Sequence, residues 1–239
     1  MPLTLHHANP TDTPYIADLF FASFANDPPV EKLFPRAPDV RDWWIRAISQ
    51  DCRNPRKRVL KVTDEGGKII GFVLWSLPAS PDQVDMDDGF SVPWPGSCDA
   101  EYGDRFFGAI HEREMEVMRG KKHYCILLVL FTLVLLSSLN CYRDPLGLML
   151  TVIIIIDVDM LATHPTARGR GVATMLVRWG LRRAESNGID VYLSSTQMAR
   201  SVYEKLGFEA RGLLLIVEGY AQIPMVWSPG RICSDAARS

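Results

Sequence analysis

The chain has 239 residues, 47% hydrophobic and 23% charged, with a formal net charge of −2. That mix suits one globular α/β domain, or one domain with an insertion, and leaves no basic footprint for nucleic acid. Five scattered cysteines without a Cys-x-x-Cys pair, and no histidine cluster beyond His6 and His7, speak against a disulfide scaffold and against a metal site. A reducing compartment, cytoplasmic or nuclear, is the expectation. The opening Met-Pro-Leu-Thr-Leu-His-His lacks the basic-then-apolar pattern of a signal peptide.

Leu3 to Ala8 reads as a first strand. Thr13 is placed to cap a helix with Pro14 in its first turn. Ile16, Leu19, Phe20 and Phe24 then recur at helical spacing until Asp27-Pro28-Pro29 ends the run. Asp39 to Gln50 reads as a second helix with Trp43, Trp44, Ala47 and Ile48 on its apolar side. The basic run Arg53 to Arg58 contains Asn54-Pro55 and reads as a solvated turn. Val59 to Thr63 and Ile69 to Ser76 form a hairpin across Asp64-Glu65-Gly66-Gly67-Lys68. Residues 78–101, rich in Pro, Gly and Asp, read as a long, plain solvated surface loop; the alternative is that its acidic field attracts an amine substrate. Tyr102 to Met118 is the next expected helix.

Two apolar runs follow, Ile126 to Leu139 and Leu146 to Ile156. Each falls short of the roughly 18 to 20 residues that span a bilayer. By length each suits a buried strand or core helix, and the first also suits an interfacial segment.

The chemistry-bearing stretch begins at the strand-like Asp159-Met160-Leu161-Ala162-Thr163, followed by His164-Pro165 and then Arg168-Gly169-Arg170-Gly171-Val172-Ala173-Thr174. A helix is expected from this turn to about Asn187. Strand, glycine turn and helix start together make an anion site, because first-turn N–H groups lack helical partners and the helix dipole favours negative charge. Gly169 and Gly171 allow close backbone approach, and Arg168 and Arg170 add donors suited to phosphate. Neither Gly-x-Gly-x-x-Gly nor a P-loop is present. Further on, Val191 to Ser195 reads as a buried strand and Met198 to Leu206 as a short helix ended by Gly207, after which Phe208 packs back. Gly212 to Val217 and Gln222 to Trp227 are the closing strands.

Arg168-x-x-Gly171-x-Ala173 resembles motif A of the GCN5-related N-acetyltransferases, the GNAT superfamily. Ala199-x-x-x-Tyr203-x-x-x-Gly207-Phe208 resembles its motif B. Order and spacing agree from Asp159 to Phe208. The resemblance implies an α/β (α+β) fold with a mixed, mostly antiparallel central sheet flanked by helices. It implies acetyl-CoA as co-substrate, no metal, and direct attack of a small-molecule amine on the thioester in a ternary complex. The backbone of Leu161, Ala162 and Thr163 would meet the acetyl group and pantetheine, and Arg168 to Thr174 the pyrophosphate. Tyr203 would be the acid that protonates the thiolate. Many members carry Asn seven residues before that tyrosine, where Thr196 stands here. Asp159 is the candidate base, and it shares strand parity with Leu161 and Thr163. The region after the first helix often forms the acceptor pocket, so Phe24, Asp27 and Phe34 are pocket candidates. The alternatives are an inactive acyl-CoA-binding module on the same fold and an enzyme anchored to a membrane by 126–156.

The resemblance also makes residues 126–157 conspicuous as an apolar insertion before strand four of a single domain spanning 1–239. Joining Cys125 to Val158 restores a continuous strand, which points to a retained intron or a gene-model error; a genuine apolar insertion is the alternative. The acceptor's identity and the oligomeric state are not legible in the sequence.

Overall fold

The computed structural model describes residues 2–77, 93–118, 123–124, 157–217 and 220–230. The apolar runs expected within 126–157 lie outside these residues, except that Asp157 opens a strand. Of the acidic loop, 78–92 lie outside as well.

The strands are β1 (Thr4–His7), β2 (Lys57–Thr63), β3 (Ile69–Ser76), β4 (His123–Tyr124), β5 (Asp157–Thr163), β6 (Asp190–Thr196), β7 (Glu209–Ala210), β8 (Leu214–Val217) and β9 (Tyr220–Trp227). The helices are α1 (Thr13–Ser23), α2 (Pro28–Leu33), α3 (Pro38–Arg53), α4 (Ala100–Met118), α5 (Val172–Asn187) and α6 (Arg200–Glu204). One sheet has the order β1-β2-β3-β5, antiparallel throughout. The other has the order β4-β6-β9-β7, with β8 also on β9. Its pairings are antiparallel apart from the parallel β4–β6 pair.

Both faces of the first sheet are covered. Leu60, Val62, Val73 and Trp75 pack with Leu176, Val177 and Leu181 of α5. Val59, Phe72 and Ala162 pack with α1, α3 and α4 on the other side. This burial is why β3 reads Ile-Ile-Gly-Phe-Val-Leu-Trp with no polar alternation.

Three expectations need correction. Asp27-Pro28-Pro29 does end the first helix but also begins another: Asp27 Oδ1 accepts the Val30 N–H at 3.2 Å, and the prolines open α2. A proline needs no helical partner in a first turn, so the same dipeptide serves as stop and start. Thr13 is the first residue of α1 rather than its cap, and Asn9 caps a preceding 3-10 turn, Pro10–Asp12. The acidic loop is shorter than 78–101 because α4 starts at Ala100, with Asp99 Oδ1 accepting from Tyr102 N–H at 3.0 Å. Trp94 from that loop is half-buried. It stacks between Trp43 (6.0 Å) and Phe107 (6.1 Å), and its indole donates to Asp104. Aromatic pairs of this kind add about 0.5–1.5 kcal/mol each beyond their burial.

Gly180 lies in the middle of α5, over the Trp75 indole. A Cβ there would stand 2.2 Å from two ring carbons, and Trp75 is fully buried with no room to yield. In an open helix a glycine-to-alanine change gains about 1 kcal/mol; here overpacking wins. Gly180→Ala should lower stability by about 1–3 kcal/mol in urea unfolding. Unchanged or raised stability would contradict this packing.

Candidate active site

β5 and β6 lie alongside one another on the two sides of the division between sheets, and among the described residues no ladder joins them. One edge of β5 pairs with β3. His164 N–H donates to the Ile70 carbonyl at 2.9 Å, toward β3. Alternation along the strand then turns the N–H groups of Leu161 and Thr163 the other way, toward β6. Side chains alternate as well: Leu161 packs against the α5 core, whereas Ala162, buried, packs with the helices on the opposite face. Thr163 Oγ1 is buried and has no hydrogen-bond partner among the described residues. A buried hydroxyl left unpaired costs about 1–3 kcal/mol, so a polar ligand in the gap would relieve it.

Met160 stands opposite Leu74 and Val158 opposite Trp75, which leaves Asp159 as the extra residue of a β-bulge. The bulge interrupts the alternation on which the shared parity of Asp159 with Leu161 and Thr163 was argued. The Asp159 side chain lies outside the described atoms.

Beyond β5 the chain makes a 3-10 turn, Pro165–Ala167, capped by His164. His164 Nδ1 lies 2.8 Å from Thr166 Oγ1 and accepts the Thr166 N–H at 3.3 Å, which gives this histidine a structural task. Gly169 (φ +76°) and Gly171 (φ +84°) follow, both left-handed. Nothing would touch a Cβ at either place, so glycine is demanded by the backbone angle and not by space. Gly171 is the N-cap of α5 and has no side chain to bond the helix start. The first α5 bond from this turn runs from Met175 N–H to the Gly171 carbonyl at 3.0 Å. The N–H groups of Val172, Ala173 and Thr174 therefore precede the helical ladder and stand available to an anion. Val172 itself is buried.

The two arginines differ. Arg170 is exposed at the turn. Arg168 spans the site: one guanidinium nitrogen donates to the Ser23 carbonyl at the end of α1 (2.8 Å), and the other reaches Met198 Sδ at 3.7 Å. It ties the glycine turn to the end of α1 and to the turn before α6.

On β6, Thr196 Oγ1 accepts the Ala199 N–H at 3.3 Å and so shapes the turn before α6, its own proton remaining available to a ligand. Tyr203, next to last in α6, packs against Phe208, with rings edge to face at 5.6 Å. It is buried, and burial pushes its phenol up to about 12. The group is thus a protonated donor throughout the physiological range.

Of the acceptor candidates, Phe24 and Phe34 line one pocket with Phe20, Phe21 and Val30. Phe34 is also built into the aromatic cluster with Trp43, Trp44 and Trp94. Asp27, half-buried, accepts a hydrogen bond from the Tyr220 hydroxyl at 3.3 Å. Tyr220, Gln222 and Ser194 were missed by the sequence reading. The one available signal was the spacing of Tyr220 and Gln222, two residues apart on one strand face. Ser194 joins them only through tertiary pairing.

Residues 136–210 match the family model for the acetyltransferase (GNAT) domain. The match encloses the glycine turn, α5 and the Tyr203 helix, and it starts inside the apolar segment. Residues 136–210 of the chain are thus similar to the GNAT acetyltransferase domain. Over 55 residues it is 42% identical to the probable acyltransferase SID5 of Ajellomyces capsulatus, covering 21% of this chain and 40% of that protein. The chain therefore aligns with well under half of that relative's length. Among solved structures it resembles a Corynebacterium glutamicum protein described as histone acetyltransferase HPA2 and related acetyltransferase (TM-score 0.54, 20% identity, 96% of this chain and 98% of that one). It also resembles a GNAT superfamily phosphinothricin acetyltransferase of Sinorhizobium meliloti, solved with AcCoA (TM-score 0.53, 15% identity, 96% and 90%). At these identities the likeness is one of fold, and the mixed, largely antiparallel sheets flanked by helices agree with it.

The state of Tyr203 has a consequence in solution. An unfolded phenol ionises at its ordinary 10.0 and the folded one at about 12. The stability linked to this proton is complete below pH 10 and is lost as pH rises toward 12. The difference in tyrosinate absorbance between wild type and Tyr203→Phe should stay flat through pH 10 and rise only about pH 12. A full tyrosine's worth of difference at the ordinary value would contradict the burial.

Proposed function

We propose that the chain is an acetyl-CoA-dependent N-acetyltransferase that moves an acetyl group to a small amine by direct attack in a ternary complex. The observation that carries this reading is the continuity of three features. The β6-facing N–H groups of β5 lead to the uncapped N-terminus of α5, and α6, which follows β6, carries a protonated, buried Tyr203. The residues fit the co-substrate: unladdered donors on β5 for an extended amide-bearing arm, an unpaired Thr163 hydroxyl beside them, and first-turn N–H groups with Arg170 for a pyrophosphate. Acetyl-CoA bound there would supply the activated thioester.

The chain's own residues then have distinct tasks. The N–H groups of Leu161 and Thr163 would hold the pantetheine arm and the acetyl oxygen in a fixed donor field, the kind of preorganised contact that stabilises developing negative charge. Tyr203 keeps its proton until the sulfur leaves and then delivers it. The Thr196 hydroxyl would take the pantetheine contact that asparagine makes in many relatives. Asp159, at the bulge, is proposed as the base acting on the amine through water. The apolar segment 126–157 is proposed to be dispensable for this chemistry, because both motifs and the α5 turn lie outside it.

Calorimetric titration of acetyl-CoA into the full-length chain should give one-to-one binding, and a chain lacking 126–156 should keep it. Tyr203→Phe should leave that affinity in place and lower kcat by about 10² to 10⁴, the usual contribution of a general acid. An unchanged kcat would remove Tyr203 from the chemistry. No binding in either form would remove the acetyl-transfer reading.

A further inference from the structure

A chain of polar side chains crosses the acceptor side of the site without being used by the chemistry above. It starts on β6, where the Ser194 hydroxyl donates to Gln222 Oε1 at 2.5 Å. Gln222 is buried on β9, directly across from Thr196. Gln222 also acts on the Tyr220 phenol two residues before it, drawing its ionisation down against the burial that raises it. The Tyr220 hydroxyl donates to Asp27 Oδ2, and Asp27 Oδ1 accepts the Val30 N–H. Side chains from β6 and β9 thus converge on one carboxylate in the link between α1 and α2.

Two properties of this carboxylate define what it can take. A carboxylate offers about four acceptor positions, and among the described residues two are engaged, by Tyr220 and Val30. The surroundings are aromatic: the Phe106 ring lies 5.8 Å from Tyr220 and 6.4 Å from Tyr102. The Tyr102 ring already holds an ammonium on its face, that of Lys32, 4.0 Å from the centroid. Burial pushes the Tyr102 hydroxyl up, and the Asp27 charge adds to it, which places the two groups within electrostatic reach. A carboxylate with open lone pairs beside π faces is the chemistry that recognises a primary ammonium.

We infer that Asp27 receives the ammonium end of the acceptor, and that Tyr220, Gln222 and Ser194 are positioning residues that hold this carboxylate in register with β6. The inference rests on the acetyl-transfer reading and gives it a substrate class. The acceptor is a primary amine, cationic in solution, on an apolar or aromatic stem, without an anionic group beside the nitrogen. A neighbouring carboxylate on the substrate would be repelled by Asp27.

The test uses the full chain, acetyl-CoA and two amines of similar size, 2-phenylethylamine (cationic at neutral pH) and aniline (neutral). Asparagine also caps helices, so Asp27→Asn removes the charge while keeping the start of α2. Asp27→Asn should raise KM for 2-phenylethylamine by about tenfold or more, the ordinary cost of truncating one side of a hydrogen-bonded charge pair. It should leave KM for aniline and the affinity for acetyl-CoA where they were. Tyr220→Phe should move the same KM in the same direction by a smaller factor, with kcat little changed. An equal rise for both amines, or no rise for 2-phenylethylamine, with acetyl-CoA binding intact would overturn the inference and leave acetyl transfer standing. Wild-type chain that binds acetyl-CoA but takes neither 2-phenylethylamine nor 1,4-diaminobutane would overturn it too. Failure of the wild type to bind acetyl-CoA would remove both.

Discussion

β5 and β6 run side by side without a ladder between them, and the whole site depends on that division. Backbone N–H and C=O groups are obligatory hydrogen-bonding groups, and an inner sheet edge left open must be satisfied by water or by a ligand. Here the open edge carries the N–H groups of Leu161 and Thr163 and ends at a helix start that has no capping side chain. We propose that such an edge takes a long ligand with amides along its length and phosphates at one end. The positive φ of Gly169 and Gly171 turns the chain sharply enough to put the helix start there.

The two sides of the division are held by different forces. On one side β3, β5 and α5 share an apolar core with the Trp75 indole seated against Gly180. On the other, hydrogen bonds join Ser194 of β6 to Gln222 of β9 and Tyr220 of β9 to Asp27 in the α1–α2 link. Arg168 bridges the two through the Ser23 carbonyl and Met198. Apolar packing gives the β5–α5 side its rigidity, whereas hydrogen bonds on the β6–β9 side fix the direction of a single carboxylate, Asp27.

Local chemistry explains which parts were legible in the sequence. β3 was bounded correctly because a hairpin turn and an unbroken apolar run enclose it, and α5 ended at Asn187 as expected because Gly188 is a left-handed C-cap. The short α2 escaped notice because Pro28-Pro29 signals both an end and a beginning, and only the Asp27 capping bond decides between them. The bulge at Asp159 was invisible, since one extra residue in a ladder leaves no trace in periodicity. Trp94 looked like part of a solvated loop because its partners, Trp43 and Phe107, are far away in sequence. The turn at Gly169 and Gly171 and the helix start at Val172 were legible because local backbone geometry makes them. The hydrogen bonds of Tyr220 and Ser194 were not, because they exist only once β6, β9 and the α1–α2 link have come together.

The most direct measurement is hydrogen–deuterium exchange of the full chain with and without saturating acetyl-CoA, read peptide by peptide. The open edge and the uncapped helix start predict new protection at 161–163 and 168–174, with a smaller change at 194–196. Saturation of binding with protection confined to other segments, or with none at 168–174, would contradict the account.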